Sequence, residues 1–191
     1  MILSEHEIRD YLASGKLVIE PPPDDSRIDT TTIDLRIGRP LRQWNPKIAS
    51  LPGFQAGINI DQFKYHEVAD QLMVDVPIEN DGTYKIAGET FYIGQTEEKI
   101  FLPVASKLAA RVEGRSSLAR LGLVIHMTAP TIQCGYGPGI ITLEIFNYGP
   151  WPLFVTPGRT LICQLIIECV LSEPTDRKTK QKTFQATDTA K

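Results

Sequence analysis

The chain has 191 residues, of which 42% are hydrophobic and 23% charged, and its formal net charge is -3. That make-up suits one globular domain with a real core, and it lacks the basic footprint of a nucleic-acid binder, which leaves small ligands as the expected partners. No apolar run reaches transmembrane length, and Met1 to Glu5 lacks the charged and apolar regions of a signal peptide, so a cytoplasmic protein without membrane contact is expected.

Ser4-Glu5-His6-Glu7 reads as a capping box with Leu3 and Ile8 as a hydrophobic staple, which predicts a helix from Glu5 to near Gly15 with Ile8, Tyr11 and Leu12 facing inward. Leu17 to Glu20 reads as a strand, after which Pro21-Pro22-Pro23 forces an extended connection to the solvated Asp24 and Asp25. From Thr31 to Ile37, the apolar Ile33, Leu35 and Ile37 alternate with Thr32, Asp34 and Arg36, the pattern of a half-buried strand. Asp34 is expected to be a salt-bridge partner rather than a catalyst.

Residues 44 to 75 are broken by Pro46, Pro52, Gly53 and Gly57; a short helix or irregular strand is expected from Gln62 to Met73, and no chemistry is assigned there. His66 is expected at the surface, since His6 and His126 supply no readable metal partner. Short apolar runs then recur at Val74 to Ile78, Thr83 to Ile86, Thr90 to Ile93 and Ser106 to Val112, with turns at Gly82 and Gly88. With 14 glycines and 14 prolines in the chain, this spacing predicts an all-β barrel or sandwich with few short helices.

The densest chemistry lies between Gly114 and Asn147. Gly114 is read as a conformationally special residue and Ser116 or Ser117 as the N-cap of a short helix carrying Leu118 to Leu121. Its free N–H groups, the two hydroxyls and the guanidinium groups of Arg115 and Arg120 make a plausible phosphate cradle. The alternative is an ordinary capped helix with two solvated arginines, and no Walker-type loop accompanies it. After a turn from Cys134 to Gly139, Ile140 to Phe146 reads as a strand covered on both faces. Alternation places Glu144 with Ile140, Thr142 and Phe146. That carboxylate is at a rim, paired with a cation, or held in a pocket, where a raised pKa would suit it to proton transfer.

Leu153 to Val155 and Thr160 to Val170 complete the strands around a Pro157-Gly158 turn. Residues 172 to 191 are polar, with Phe184 their one core-type residue, so residues 1 to 171 are read as the domain and the rest as an arm. Cys134, Cys163 and Cys169 are too few and too irregular for a disulfide framework or a zinc knuckle.

Arg115 to Leu123 (RSSLARLGL), His126-Met127-Thr128-Ala129 and Thr142 to Asn147 (TLEIFN) together resemble the dCTP deaminase family, a branch of the trimeric dUTPase superfamily. Thr32 to Gly38 resembles its early motif, and Pro157-Gly158-Arg159 with Gln164-Leu165 its late one. The resemblance implies a distorted β-barrel, a homotrimer with sites at subunit contacts, dCTP and dUTP as ligands and dTTP as a candidate inhibitor. It implies hydrolytic deamination of dCTP to dUTP and ammonia without zinc, with magnesium held through the triphosphate. Glu144 matches the proton shuttle, Ser116 the residue holding the water, Arg120 a cation near the attacked carbon, and the Ala129 carbonyl a group that orients the water. Arg115, Ser116, Ser117 and Arg120 match phosphate contacts, and Gln133, Thr142, Leu143 and Glu144 further nucleotide contacts. Lys182 and Gln185, near Phe184, are the nearest matches to the arm residues that close over the nucleotide; Lys178, Lys180 and Lys182 read equally as a solvated charge run.

Three departures stand out. Ile132-Gln133-Cys134-Gly135 replaces the usual Ile-Asp-Pro-Gly, the loop before Glu144 is one residue longer with Pro138 in it, and Pro130-Thr131 replaces a His-Arg pair. In related dUTP diphosphatases the aspartate at the Gln133 position activates water. The rival activities are therefore dUTP diphosphatase, alone or combined with deamination, and a non-catalytic nucleotide sensor.

Overall fold

A computed structural model describes residues 1–50, 57–62 and 64–174. Helix α1, Glu5–Ala13, starts where the sequence predicts: the Ser4 backbone N–H and hydroxyl both donate to the Glu7 carboxylate, at 2.8 and 2.9 Å. Ile8 is fully buried, Tyr11 and Leu12 pack against the core, and Gly15, at φ +70°, turns the chain out of the helix. Leu3 is tied to the last strand through its N–H, which donates to the Ile167 carbonyl at 3.0 Å.

The strands are β1 Val18–Glu20, β2 Ile33–Arg36, β3 Arg42–Trp44, β4 Met73–Asp75, β5 Tyr84–Ile86, β6 Thr90–Phe101, β7 Leu108–Gly114, β8 Leu123–Val124, β9 Thr131–Ile132, β10 Gly139–Asn147, β11 Leu153–Val155 and β12 Leu161–Cys169. They form a six-stranded sheet ordered β4-β3-β6-β10-β8 with β1 added on β6, a four-stranded sheet ordered β2-β12-β7-β9, and the pair β11-β5. The all-β expectation holds. Among the described residues these sheets stay open, with no continuous ladder closing them into a barrel. The core lies between the two large sheets: Tyr92, Ile100, Ile141, Leu143 and Ile145 from one, Ile33, Leu35, Val112, Leu165 and Ile167 from the other.

Strand β6 runs eight residues beyond the predicted Thr90 to Ile93. Its second half carries Gly94, Glu97, Glu98 and Lys99, which look like a turn in one dimension. In the fold a Cβ on Gly94 would stand 2.9 Å from the Ile145 side chain, so glycine is what lets β6 and β10 pack. Glu98 is completely buried because Arg27 and Arg36 both reach it; the Arg36 Nε lies 2.7 Å and its backbone N–H 2.9 Å from the carboxylate. Thr96, also buried, bridges a bulge in β10 by accepting from the Ile141 N–H at 3.0 Å and donating to the Glu98 carbonyl.

Between β3 and β4 the irregular segment contains helix α2, Tyr65–Leu72, within the Gln62 to Met73 window. Residues 51–56 and 63 of that segment, the side chain of His66, and the arm residues Lys178, Lys180, Lys182, Phe184 and Gln185 lie outside what the structure describes.

Candidate functional site

Helix α3, Ser116–Ala119, is a single turn, and its N-cap is Arg115 rather than Ser116 or Ser117. Gly114 is the last residue of β7, paired to Cys163, with no left-handed backbone. The chain breaks direction after the sheet ladder ends at Gly114, one residue earlier than the hydroxyl-based reading implies. Both serine side chains thereby fall inside the turn, exposed at its start. Among the described residues the Ser116 and Ser117 hydroxyls and the Arg120 guanidinium have no hydrogen-bond or ion-pair partner. They are donors held in place by backbone and available to a ligand.

Arg115 differs from them. Its Nη2 lies 3.3 Å from Asp34 Oδ2, while Gln164 Nε2 donates to Asp34 Oδ1 at 3.2 Å and sits 3.3 Å from Thr32 Oγ1. Asp34 is thus the salt-bridge partner the sequence predicts, holding Arg115 ahead of α3 with residues from β2 and β12.

The turn is fixed from behind. Tyr148 N–H donates to the Gly122 carbonyl at 2.8 Å, and a Cβ on Gly122, which has φ +90°, would stand 2.6 Å from the Gly149 nitrogen. Asn147, fully buried at the end of β10, donates to the carbonyls of Ile86 and Trp151 and accepts from the Gly149 N–H. The sequence places Asn147 inside a motif but gives no sign that it joins β5 to the connection between β10 and β11.

Glu144 lies on the outward row of β10. Ile141, Leu143, Ile145 and Asn147 point inward; Ile140, Glu144 and Phe146 are half-buried on the other side and Thr142 is exposed. In the single chain this face is only partly covered, not covered as fully as the strand composition implies. Leu143 faces the core, so its side chain is turned away from the Glu144 side. Phe146 pairs with Val124 of β8, the strand that follows α3, so Glu144 sits about 7 Å along the strand from that row.

Arg42, Ile93 and Glu144 form one cross-strand row, because Arg42 and Glu144 each register with Ile93 from opposite edges of β6. Arg42 also pairs with Asp70 of α2 at 3.2 Å and Asp75 of β4 at 2.9 Å. Tyr65 at the start of α2 is near enough for Glu144 to act on it: burial pushes the tyrosine pKa up, Arg42 opposes the shift, and Asp70 and Glu144 add to it. No local pattern in the sequence shows that α2 comes beside Arg42 of β3.

The remaining candidates divide between two ends of β7. Pro130 accepts from the Val112 N–H at 2.9 Å, which sets Ala129 beside the α3 end, whereas Ile132 registers with Ala110 and sends Gln133 toward the opposite end. Gln133 is thus about 17 Å along the strand from Gly114. Residues 134 to 138 then cross back: Leu102 exchanges hydrogen bonds with Gly135 and Tyr136, and the Tyr136 hydroxyl donates to the Ile140 carbonyl. Gly137, at φ +88°, passes so close to Ile100 that a Cβ would meet its carbonyl oxygen at 2.0 Å. The longer loop is accommodated by these contacts.

All three cysteines are free of disulfides, and Cys163 is buried in the core, where desolvation pushes its thiol far up. Among the described residues no three His, Cys, Asp or Glu side chains gather as metal ligands.

A family model described as DCD, dCTP deaminase-like, matches residues 2–170. A protein of Rhodospirillum rubrum named dCTP deaminase is 39% identical, with 100% of this chain and 91% of that protein covered. A protein of Methanosphaera stadtmanae named dCTP deaminase, dUMP-forming, is 36% identical, covering 90% of this chain and 80% of its own length. Among solved structures, the 2'-deoxycytidine 5'-triphosphate deaminase from Agrobacterium tumefaciens superposes with a TM-score of 0.63 at 24% identity, over 88% of this chain. The chain spans about half, 48%, of that solved chain, and the likeness is one of fold. With nearly its whole length matched by one family model, the chain belongs to the dCTP deaminase-like family.

Proposed function

We propose that the chain hydrolyses dCTP to dUTP and ammonia, with Glu144 as the proton shuttle. The observation that carries this reading is a half-buried carboxylate on a central strand, one strand away from a turn whose serine and arginine donors have no partner within the described chain. Family membership and the names of the relatives support the reaction class.

In the proposed mechanism, water held by Ser116 and the Ala129 carbonyl adds through oxygen to C4 of the cytosine ring. Glu144 takes a proton from that water and delivers one to N3. It then takes the remaining hydroxyl proton and passes it to the amino group as the C4–N bond breaks. Ammonia leaves, C4 becomes a carbonyl and Glu144 returns to its starting state. Arg120 stabilises charge developing at the attacked centre, while Arg115, Ser116 and Ser117 hold phosphate oxygens. Magnesium, bound through the triphosphate, would neutralise part of its charge; Asp34, the carboxylate against Arg115, is already engaged by that arginine, which fits a metal held by phosphate oxygens.

The two kinds of relative differ in whether dUMP is formed. An amide at Gln133 cannot act as the base for water attack near the α-phosphate, which favours deamination without cleavage; deamination followed by cleavage is the second reading. Gln133 and Ser116 lie far apart along β7, which a site shared between two copies of the chain would explain. This fits the homotrimer with sites between subunits that the family resemblance implies. Residues 1 to 171 would form the domain, and 172 to 191 the arm over a site, with Lys182 and Gln185 as its contacts and the cytoplasm as its location.

Incubation with magnesium and dCTP or dUTP, followed by assay of ammonia, dUTP, dUMP and diphosphate, tests the reading. Ammonia with dUTP from dCTP is expected. Diphosphate would favour the second reading, and nucleotide binding without turnover would indicate a sensor. Glu144→Gln should abolish ammonia release while nucleotide affinity stays within about tenfold; unchanged turnover would remove Glu144 from the mechanism.

A further inference from the structure

We propose that Gly149 is a positioning residue for Arg120: it seats the loop after β10 against the end of the α3 turn and so fixes where the guanidinium is presented. The inference rests on the deaminase reading and deepens it, because Gly149 itself has no part in the mechanism above. A helix of four residues does not hold itself in place, since its few hydrogen bonds do not repay the dihedrals they fix. Leu118 packs against the core at the start of the turn. At its end the Arg120 side chain has no partner among the described residues and Leu121 is 41% exposed, so side chains do not anchor it. Backbone does.

A Cβ on Gly149 would stand 2.6 Å from the Leu121 carbonyl oxygen, and one on Gly122 would stand 2.6 Å from the Gly149 nitrogen. The Tyr148 N–H donates to the Gly122 carbonyl, and Leu123, the next residue, registers with Asn147. The loop has no room to retreat from this contact. A Cβ on Gly88 would stand 2.6 Å from the Gly149 carbonyl oxygen, and the buried Asn147 Oδ1 accepts from the Gly149 N–H at 2.9 Å. Asn147 Nδ2 in turn donates to the Ile86 and Trp151 carbonyls at 3.2 and 2.9 Å, so Gly149 is placed by β5 and β10 rather than by α3. A methyl added at Gly149 would also stand 3.1 Å from Asn147 Oδ1; with that amide behind it, the group that must give is the Leu121 carbonyl, one residue after Arg120. A small rotation there swings the long arginine side chain, and misplacing a reacting or charge-stabilising group by about 1 Å can cost up to about 10²-fold in rate.

A double-mutant cycle tests the proposal. Gly149→Ala should lower kcat for ammonia release from dCTP about tenfold with KM within about twofold of the parent. In an Arg120→Ala background, which has lost the group that Gly149 places, adding Gly149→Ala should change kcat by no more than about twofold. A role in stability alone would carry the same loss into both backgrounds, and that result, or an unchanged kcat in Gly149→Ala, would overturn the proposal. The added methyl is overpacked, so Tm should fall by about 2–6 °C. If Gly149→Ala does not fold, Asn147→Ala, which releases the loop instead of pushing it, should show the same non-additivity with Arg120→Ala. Nitrogen-15 NMR of the arginine Nε–H groups, with Arg120 assigned by its loss in Arg120→Ala, reads the guanidinium without turnover. Its signal should shift or broaden in Gly149→Ala while those of Arg27 and Arg36, held at Glu98, stay in place; an unmoved Arg120 signal would overturn the proposal. A parent protein that releases no ammonia would defeat the deaminase reading instead, and the NMR comparison would still decide whether Gly149 sets Arg120.

Discussion

Two clusters of polar side chains in this molecule have opposite fates. Around Glu98 each charge is answered within the chain: Arg27 and Arg36 reach the carboxylate, Arg36 also donates to the Gly158 carbonyl at 3.1 Å, and Glu98 itself has no exposure. At α3 the Ser116 and Ser117 hydroxyls and the Arg120 guanidinium stay exposed and unanswered among the described residues, on a turn held by Gly122, Asn147 and Tyr148. A polar group whose partners all lie in its own chain belongs to the scaffold. One that is presented on a fixed turn without a partner in its own chain is a candidate for contact with a ligand. Substitution in the first cluster should therefore be felt in stability, and in the second in catalysis.

The largest effect is expected from Glu98→Gln. Removing the charge leaves Arg27, 6% exposed, beside a neutral amide in the core, and breaking such a buried pair costs about 3–5 kcal/mol. Urea denaturation should report that loss, and a variant as stable as the parent would break the contrast at its strongest point. Next comes Arg120→Ala, expected to lower kcat/KM for dCTP by about 10²–10³ with Tm within about 2 °C of the parent. A large loss of stability in that variant would mean that Arg120 is scaffold after all.

These two clusters also mark where sequence reasoning reached and where it stopped. The α3 turn, the strand carrying Glu144 and the capped first helix were legible because each is announced locally, by hydroxyl residues, by alternation or by a capping box. The Glu98 cluster was not, since its partners lie 62 and 71 positions away and only the fold brings them together. The second half of β6 was lost for the same reason: Glu97-Glu98-Lys99 reads as solvent-facing until its arginines are known. The cap was misplaced from Arg115 to a serine because hydroxyl preference is local, while the end of the β7 ladder at Gly114 is set by pairing with Cys163. The row of Arg42, Ile93 and Glu144 is invisible in the sequence because cross-strand register has no trace in the order of residues.

Asp34 stands between the two clusters, with one oxygen toward the Gln164 amide and the other toward Arg115 of the cradle. Asp34→Asn should weaken binding of the triphosphate by about tenfold, raising KM for dCTP more than it lowers kcat, because Arg115 loses the group that aims it. Stability should fall by about 1–2 kcal/mol, less than at Glu98, since Asp34 is buried but its partner Arg115 is half-buried. A selective KM effect would place Asp34 with the ligand-facing cluster; a loss of stability on the scale of Glu98→Gln with KM unchanged would move it to the scaffold.

The smallest effect concerns a polar pair that is satisfied within the chain yet fully exposed. The Ser4 backbone N–H, and then its hydroxyl, donate to Glu7 and hold its pKa below the ordinary value of 4.5. A carboxyl lowered in the folded state stabilises the fold above its unfolded pKa, and that contribution is lost as pH falls through the folded value. Ser4→Ala should therefore lower Tm by no more than about 2 °C at pH 7, and the difference from the parent should shrink as the pH drops from about 4.5 toward 3. Thermal melts at the two pH values check both the size and the sign. A difference as large as that of Glu98→Gln would show that having a partner, rather than being buried with one, is what separates scaffold from site.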